Sequence, residues 1–136
     1  MCLLATIRSD GSPRISPMEP RIFEDRLLLV GMPGTTKFRD LARDPRFCLH
    51  TATVDPSVRE GDAKLWGEVV NVQDKAMHKR FADKLFEDTG FDLRGRDFDP
   101  FYVADLTGAS SVGFEDGRLT IRIWKPGTGE RVVHKS

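Results

Sequence analysis

The run Gly31-Met32-Pro33-Gly34-Thr35-Thr36-Lys37 joins a strand end, a Gly/Pro loop, two hydroxyls and an ammonium at the expected start of a helix. A helix N-terminus leaves unpaired N–H groups and a positive partial charge, so hydroxyls and a cation gathered there form a cradle for phosphate. The ligand this predicts is a phosphomonoester. The pattern is not a Walker P-loop, which places Gly directly before the Lys where this chain has Thr36. The same residues fit a second reading, in which Thr35 caps the helix and Lys37 stands in solvent. Arg14 favours the phosphate. If its strand runs back beside the strand that ends at Gly31, its guanidinium swings over the Lys37 cradle and supplies a bidentate grip. Three or four charge-assisted hydrogen bonds of about 1.5–3 kcal/mol each supply much of the roughly 8 kcal/mol of micromolar binding, before desolvation is subtracted.

The elements that must position these residues are mostly short strands. Leu3 to Arg8 is an apolar run closed by Ser9-Asp10-Gly11-Ser12, a hairpin turn signal because glycine tolerates positive φ. A second strand from about Pro13 to Phe23, a turn at Glu24-Asp25-Arg26 and a return from Leu27 to Gly31 predict a three-stranded antiparallel meander. Pro17 and Pro20 cannot donate to a ladder, so the middle strand must lie at an edge, carry a bulge, or turn part of its backbone elsewhere. Phe38, Leu41 and Ala42 fall on one face of a helix over Thr35 to Arg43 that stops at Asp44-Pro45. A fourth strand from Arg46 to Thr53, a polar loop from Val54 to Gly61 and a long fifth strand from Asp62 to Val72 follow.

Asp74 opens a second helix with Met77, Phe81, Leu85 and Phe86 on one face and Gly90 beyond its end. After a loop from Phe91 to Pro100, strands are predicted over Phe101 to Leu106 and Leu119 to Trp124, joined through an Asp116-Gly117 turn, with a short last one at Arg131 to Val133. Six or seven short antiparallel strands and two helices, without a βαβ rhythm, predict a single mainly β domain over residues 1–136 that closes into a barrel to manage its edges.

Composition excludes several classes. With 21 Lys+Arg against 21 Asp+Glu, the 136-residue chain lacks the basic excess that nucleic-acid backbones need. Its longest aliphatic stretch, Leu27 to Val30, falls far short of the ~20 residues that span a bilayer. The start has neither the basic region nor the apolar core of a signal peptide, which predicts a cytoplasmic protein. Cys2 and Cys48 form no CxxC pair and read as small buried hydrophobes. His50, His78 and His134 have no metal-ligand spacing, and no elbow motif supports a Ser/His/Asp triad. The interleaved Asp92, Arg94, Arg96, Asp97 and Asp99 read as a solvated loop.

The segments Ala5-Thr6-Ile7-Arg8-Ser9-Asp10-Gly11-Ser12-Pro13-Arg14-Ile15-Ser16-Pro17, Gly34-Thr35-Thr36-Lys37-Phe38-Arg39-Asp40-Leu41 and Asp44-Pro45-Arg46 resemble the flavin-binding split-barrel superfamily of pyridoxamine 5'-phosphate oxidase-like proteins. Asp62-Ala63-Lys64-Leu65-Trp66-Gly67 supports the likeness, which thins out after the second helix. The resemblance implies a homodimer with FMN, or its deazaflavin relative coenzyme F-420, between the subunits. It implies phosphate contacts from Arg14, Thr35, Thr36 and Lys37. It also implies that the backbone of Ile15, Ser16, Pro17 and Met18, with Val30 and Gly31, borders the ribityl chain and ring, and that Lys64 and Trp66 approach from the fifth strand. No side chain is assigned a catalytic role, because the cofactor carries the redox reactivity.

The sequence also departs from the vitamin-processing oxidases of that superfamily. It has Thr36 where they carry Arg, Glu19 where they carry Lys, and no Arg-rich C-terminal signature. The activity this implies is hydride or electron transfer with a small organic substrate other than pyridoxamine phosphate. The alternatives are an F-420-dependent reductase and a non-catalytic flavin- or haem-binding protein.

Overall fold

The computed structural model describes residues 1–52 and 61–135, so nearly all of the predicted loop from Val54 to Gly61 lies outside the described residues. The described strands are β1 (Cys2–Ile7), β2 (Pro13–Met18), β3 (Arg21–Phe23), β4 (Arg26–Leu29), β5 (Arg46–Thr51), β6 (Asp62–Asn71), β7 (Tyr102–Glu115), β8 (Arg118–Lys125) and β9 (Gly129–Lys135), with helices α1 (Thr36–Arg43) and α2 (Lys75–Thr89). The fold is mainly β and antiparallel, as expected, with nine described strands in place of six or seven. None of the described helices is long and apolar enough to cross a membrane.

The strands depart from the expected ones in two places. The second predicted strand is really two, β2 and β3, broken at Glu19-Pro20. Beyond Leu106, β7 continues to Glu115 and forms a long hairpin with β8, to which β9 adds. The break also corrects the predicted meander. β2 pairs with β1, setting Arg14 opposite Thr6, whereas β3 pairs with β4 and β4 with β7. β2 and β4 are therefore not neighbours. The sheet runs β2-β1-β5-β6-β7-β4-β3 with β8 and β9 branching from β7, and it does not close. Proline supplies the reason, since Pro17 and Pro20 bring no N–H to a ladder and the strands on either side of the break become its two edges.

Local chemistry sets the turns. Asp10 accepts from the Ser12 backbone N–H at 2.9 Å, and Gly11 takes φ +88°. Glu24 and Asp25 both lie at positive φ, as do Asp116 and Gly117, the two-residue hairpin geometry that matches strand twist. Asp74 accepts from the backbone N–H groups of Ala76 and Met77 to cap α2, and Gly90 closes the helix in the left-handed region.

Each helix covers its own core. Phe38 and Leu41 of α1 pack with Leu4, Met18, Leu27, Leu29, Leu49 and Tyr102. Met77, Phe81 and Leu85 of α2 pack with Leu28, Phe98, Phe101 and Val103. β4 is the wall between them: Leu27 and Leu29 face one core and Leu28 the other, which is why it reads as an unbroken apolar run. Two expected core residues are corrected. Ala42 is exposed on α1, where Asp40 is buried instead. Phe86 is 37% exposed and stacks under the Arg94 guanidinium, 3.7 Å from the ring centroid.

A register shift between Trp66 and Gly67 interrupts the β6–β7 ladder. Gly67 permits it, because a Cβ there would run into the Asp105 carbonyl oxygen, a backbone atom with little freedom to move. Gly67→Ala is expected to lower stability by about 1–3 kcal/mol, as overpacking does, with the strand content retained; urea denaturation followed by circular dichroism measures it.

Candidate anion site at the start of the first helix

The site is built where the β1–β2 hairpin meets α1. On β2 the side chains alternate, so Arg14, Ser16 and Met18 turn toward α1 while Ile15 and Pro17 turn away. Arg14 Nε donates to Asp40 Oδ2 at 2.7 Å, and Thr6 Oγ1 donates to the same oxygen at 2.8 Å. Arg43 Nη2 donates to Asp40 Oδ1 at 3.1 Å. Burial alone would raise the Asp40 pKa, but the hydrogen bonds from Arg14 and Thr6 outweigh it and hold the carboxyl below its ordinary range. Arg14 thus reaches α1 by way of β1, and not, as expected, by lying beside the strand that leads into the cradle.

Thr35 occupies the N-cap position in extended backbone, yet its side chain makes no cap hydrogen bond. Its Oγ1 is buried without a partner, and so is the Oγ of Ser16. One buried hydroxyl at the helix start and one on the inner face of β2 therefore keep their hydrogen-bonding capacity unused, which fits a ligand with acceptor oxygens. No acidic residue stands in the first turn of α1 to compete for an anion. Lys37 is half-buried rather than loose in solvent, and its Nζ donates to the Pro17 carbonyl at 3.3 Å, which ties α1 to the edge of β2. Thr36 is exposed in the first turn, Val30 packs at the margin of the α2 core, and Gly31 is exposed beside the Phe38 ring, which an added Cβ would meet at an ordinary contact distance of 3.4 Å.

Lys64 and Trp66 do not join this cluster. Ser16, Leu4, Leu49 and Leu65 are cross-strand partners in a row on the inner face, and Lys64 and Trp66 flank Leu65. They therefore lie on the opposite face, where Ile15, Ala5, Cys48, Trp66 and Gly108 form the neighbouring row. The Trp66 indole lies against Gly108, filling the place of its missing side chain.

The family model described as pyridoxamine 5'-phosphate oxidase matches residues 1–107. The chain belongs to that family. Among solved structures, a pyridoxamine 5'-phosphate oxidase-related, FMN binding protein from Nostoc punctiforme PCC 73102 is 13% identical, with 99% of this chain and 86% of that one covered at a TM-score of 0.62. PhzG from Burkholderia lata 383, in complex with tetrahydrophenazine-1-carboxylic acid, is also 13% identical, with 99% and 81% covered and a TM-score of 0.68. An F420 reductase is 23% identical, with 80% and 87% covered and a TM-score of 0.56. These likenesses establish the split-barrel fold. No curated protein matches the chain in sequence.

Within this pyridoxamine 5'-phosphate oxidase family member, every candidate residue from Arg14 to Trp66 falls inside the matched segment. The residues that sequence reading missed are Asp40, Thr6 and Arg43, which hold Arg14 and α1 together. A signal existed in the spacing, because Asp40 stands one helical turn after Lys37 and three residues before Arg43.

A carboxyl whose folded pKa is depressed stabilises the fold above its ordinary pKa, and that contribution fades as pH falls through the folded value. Asp40→Asn is therefore expected to cost about 3 kcal/mol at neutral pH, the order found when one partner of a buried ion pair is removed. Urea midpoints for both proteins should draw together as pH is lowered below the ordinary Asp value, about 3.9.

Proposed function

We propose that the chain is a cytoplasmic FMN-binding oxidoreductase that works as a homodimer with the cofactor at the subunit interface. The carrying observation is that α1 lies along β2 with Lys37 on the Pro17 carbonyl and Asp40 on Arg14, while Ser16 of β2 and Thr35 at the helix start each bury an unpartnered hydroxyl. Arg14, Thr35, Thr36 and Lys37 would hold the phosphate, with Ile15 to Met18, Val30 and Gly31 along the ribityl chain and ring. When bound, the flavin supplies hydride and electron chemistry with a small organic substrate. The protein's own work is to bind, orient and shield. A dianion is matched by two cations and helix N–H groups, and residues packed around the ring exclude water.

The two faces of the sheet support the dimer reading. Ile15 is 69% exposed and Leu3 40%, and with Pro17, Ala5, Cys48 and Trp66 they form an apolar patch on the outer face of the sheet that Lys64 also shares. A second subunit over this face covers the exposed apolar side chains and brings Lys64 and Trp66 of one copy toward the cradle of the other. Pyridoxamine phosphate oxidation is not part of the proposal, because Glu19 is an exposed acid where an anionic substrate would want a cation.

The purified protein is expected to show the paired absorbance bands of an oxidised flavin. A single deazaflavin band after adding F-420 would move the assignment to that cofactor, and a Soret band would move it to haem. Lys37→Ala should weaken FMN binding by about 10–100-fold, the worth of one charge-assisted hydrogen bond, with the fold intact by circular dichroism; unchanged affinity places the phosphate elsewhere. Ile15→Asp should convert the dimer to monomer in light scattering, and a monomeric parent protein would refute the interface.

A further inference from the structure

We infer that Asp40 is a positioning residue for the phosphate, acting by presenting the free edge of Arg14. The inference rests on the FMN reading above and assigns the recognition of the phosphate group to a carboxylate that never touches it. An arginine side chain has several rotatable bonds and five N–H donors. Nε–H of Arg14 is taken by Asp40 at 2.7 Å, and among the described residues its Nη atoms have no hydrogen-bond partner. The Arg14 side chain keeps 27% exposure, whereas that of Asp40 keeps 3%.

Asp40 cannot easily turn away. Thr6 holds the oxygen that Arg14 uses, Arg43 holds the other, and the backbone belongs to the helix that carries Lys37 one turn earlier. The carboxylate therefore fixes the guanidinium relative to the cradle and leaves four of its N–H groups for an acceptor. Without it Arg14 keeps its charge and loses its orientation. A phosphate must then order the side chain on binding, so the selectivity for a phosphorylated over an unphosphorylated ligand falls.

The ratio of FMN to riboflavin affinity isolates this effect, because both carry the same ring and only one carries phosphate. Wild-type protein is expected to prefer FMN strongly, and Asp40→Asn to reduce that preference about tenfold, the order of the side-chain freedom regained. Riboflavin affinity per folded molecule should stay as it was. Asp40→Asn added to Arg14→Ala should change the ratio no further.

Equal loss of both ligands would make Asp40 merely structural, and an undiminished FMN preference would overturn the inference while leaving the functional reading intact. A wild-type protein without any FMN preference would overturn both. Should Asp40→Asn fail to fold, nitrogen-detected NMR of the wild type decides. On adding FMN the Arg14 Nη signals should move and its Nε–H should keep its shift. Movement of Nε with Nη unmoved would refute the idea.

Discussion

A single buried carboxylate fixes how the first helix meets the sheet. Asp40 takes donors from Thr6, 34 residues away, and from Arg14, 26 away, while Arg43 closes the other side from within the helix. A lone charge at this depth would be strongly disfavoured, so the three donors and the acceptor must be in place together or not at all. That requirement docks α1 onto the β1–β2 hairpin in one orientation. The start of the helix, with Thr35, Thr36 and Lys37, is thereby aimed at the edge of β2.

The sheet supplies the second constraint. Its two edges, β2 and β3, adjoin the break at Glu19-Pro20, and the chain between them passes from one end of the sheet to the other. The split leaves β2 with an edge on which Lys37 finds the Pro17 carbonyl. Two cores share β4 as a common wall. The anion site lies over the α1 core, whereas α2 and its aromatic cluster of Phe81, Phe98 and Phe101 close the other side. The β7–β8 hairpin and β9 extend past residue 107, where the match to the family model ends.

Inner and outer faces of β2 divide the candidate residues into two sets. Arg14 and Ser16 point to α1, and Ile15 and Pro17 share the face of Lys64 and Trp66. One extended strand can address two surfaces because its side chains alternate. A ligand lying around that edge meets cations from one face and the apolar outer row from the other, which gives the proposed dimer its place in the chemistry.

Much was legible in the chain itself where the cause is local. The Asp10-Gly11 and Asp116-Gly117 turns, the Asp74 cap, the Gly90 stop and the Thr/Lys helix start depend on residues within a few positions of one another, and they stand where the sequence puts them. Strand pairing did not yield in the same way: the Pro13–Phe23 run looked like one strand beside Leu27–Gly31, yet it divides between two neighbours. Local pattern records which residues prefer extended backbone, not which distant strand satisfies them. The hydroxyls and cations of the site were therefore determined by sequence. The face each one occupies, and the burial of Asp40 as the partner of Arg14, were decided only when strands far apart in the chain came to lie against one helix.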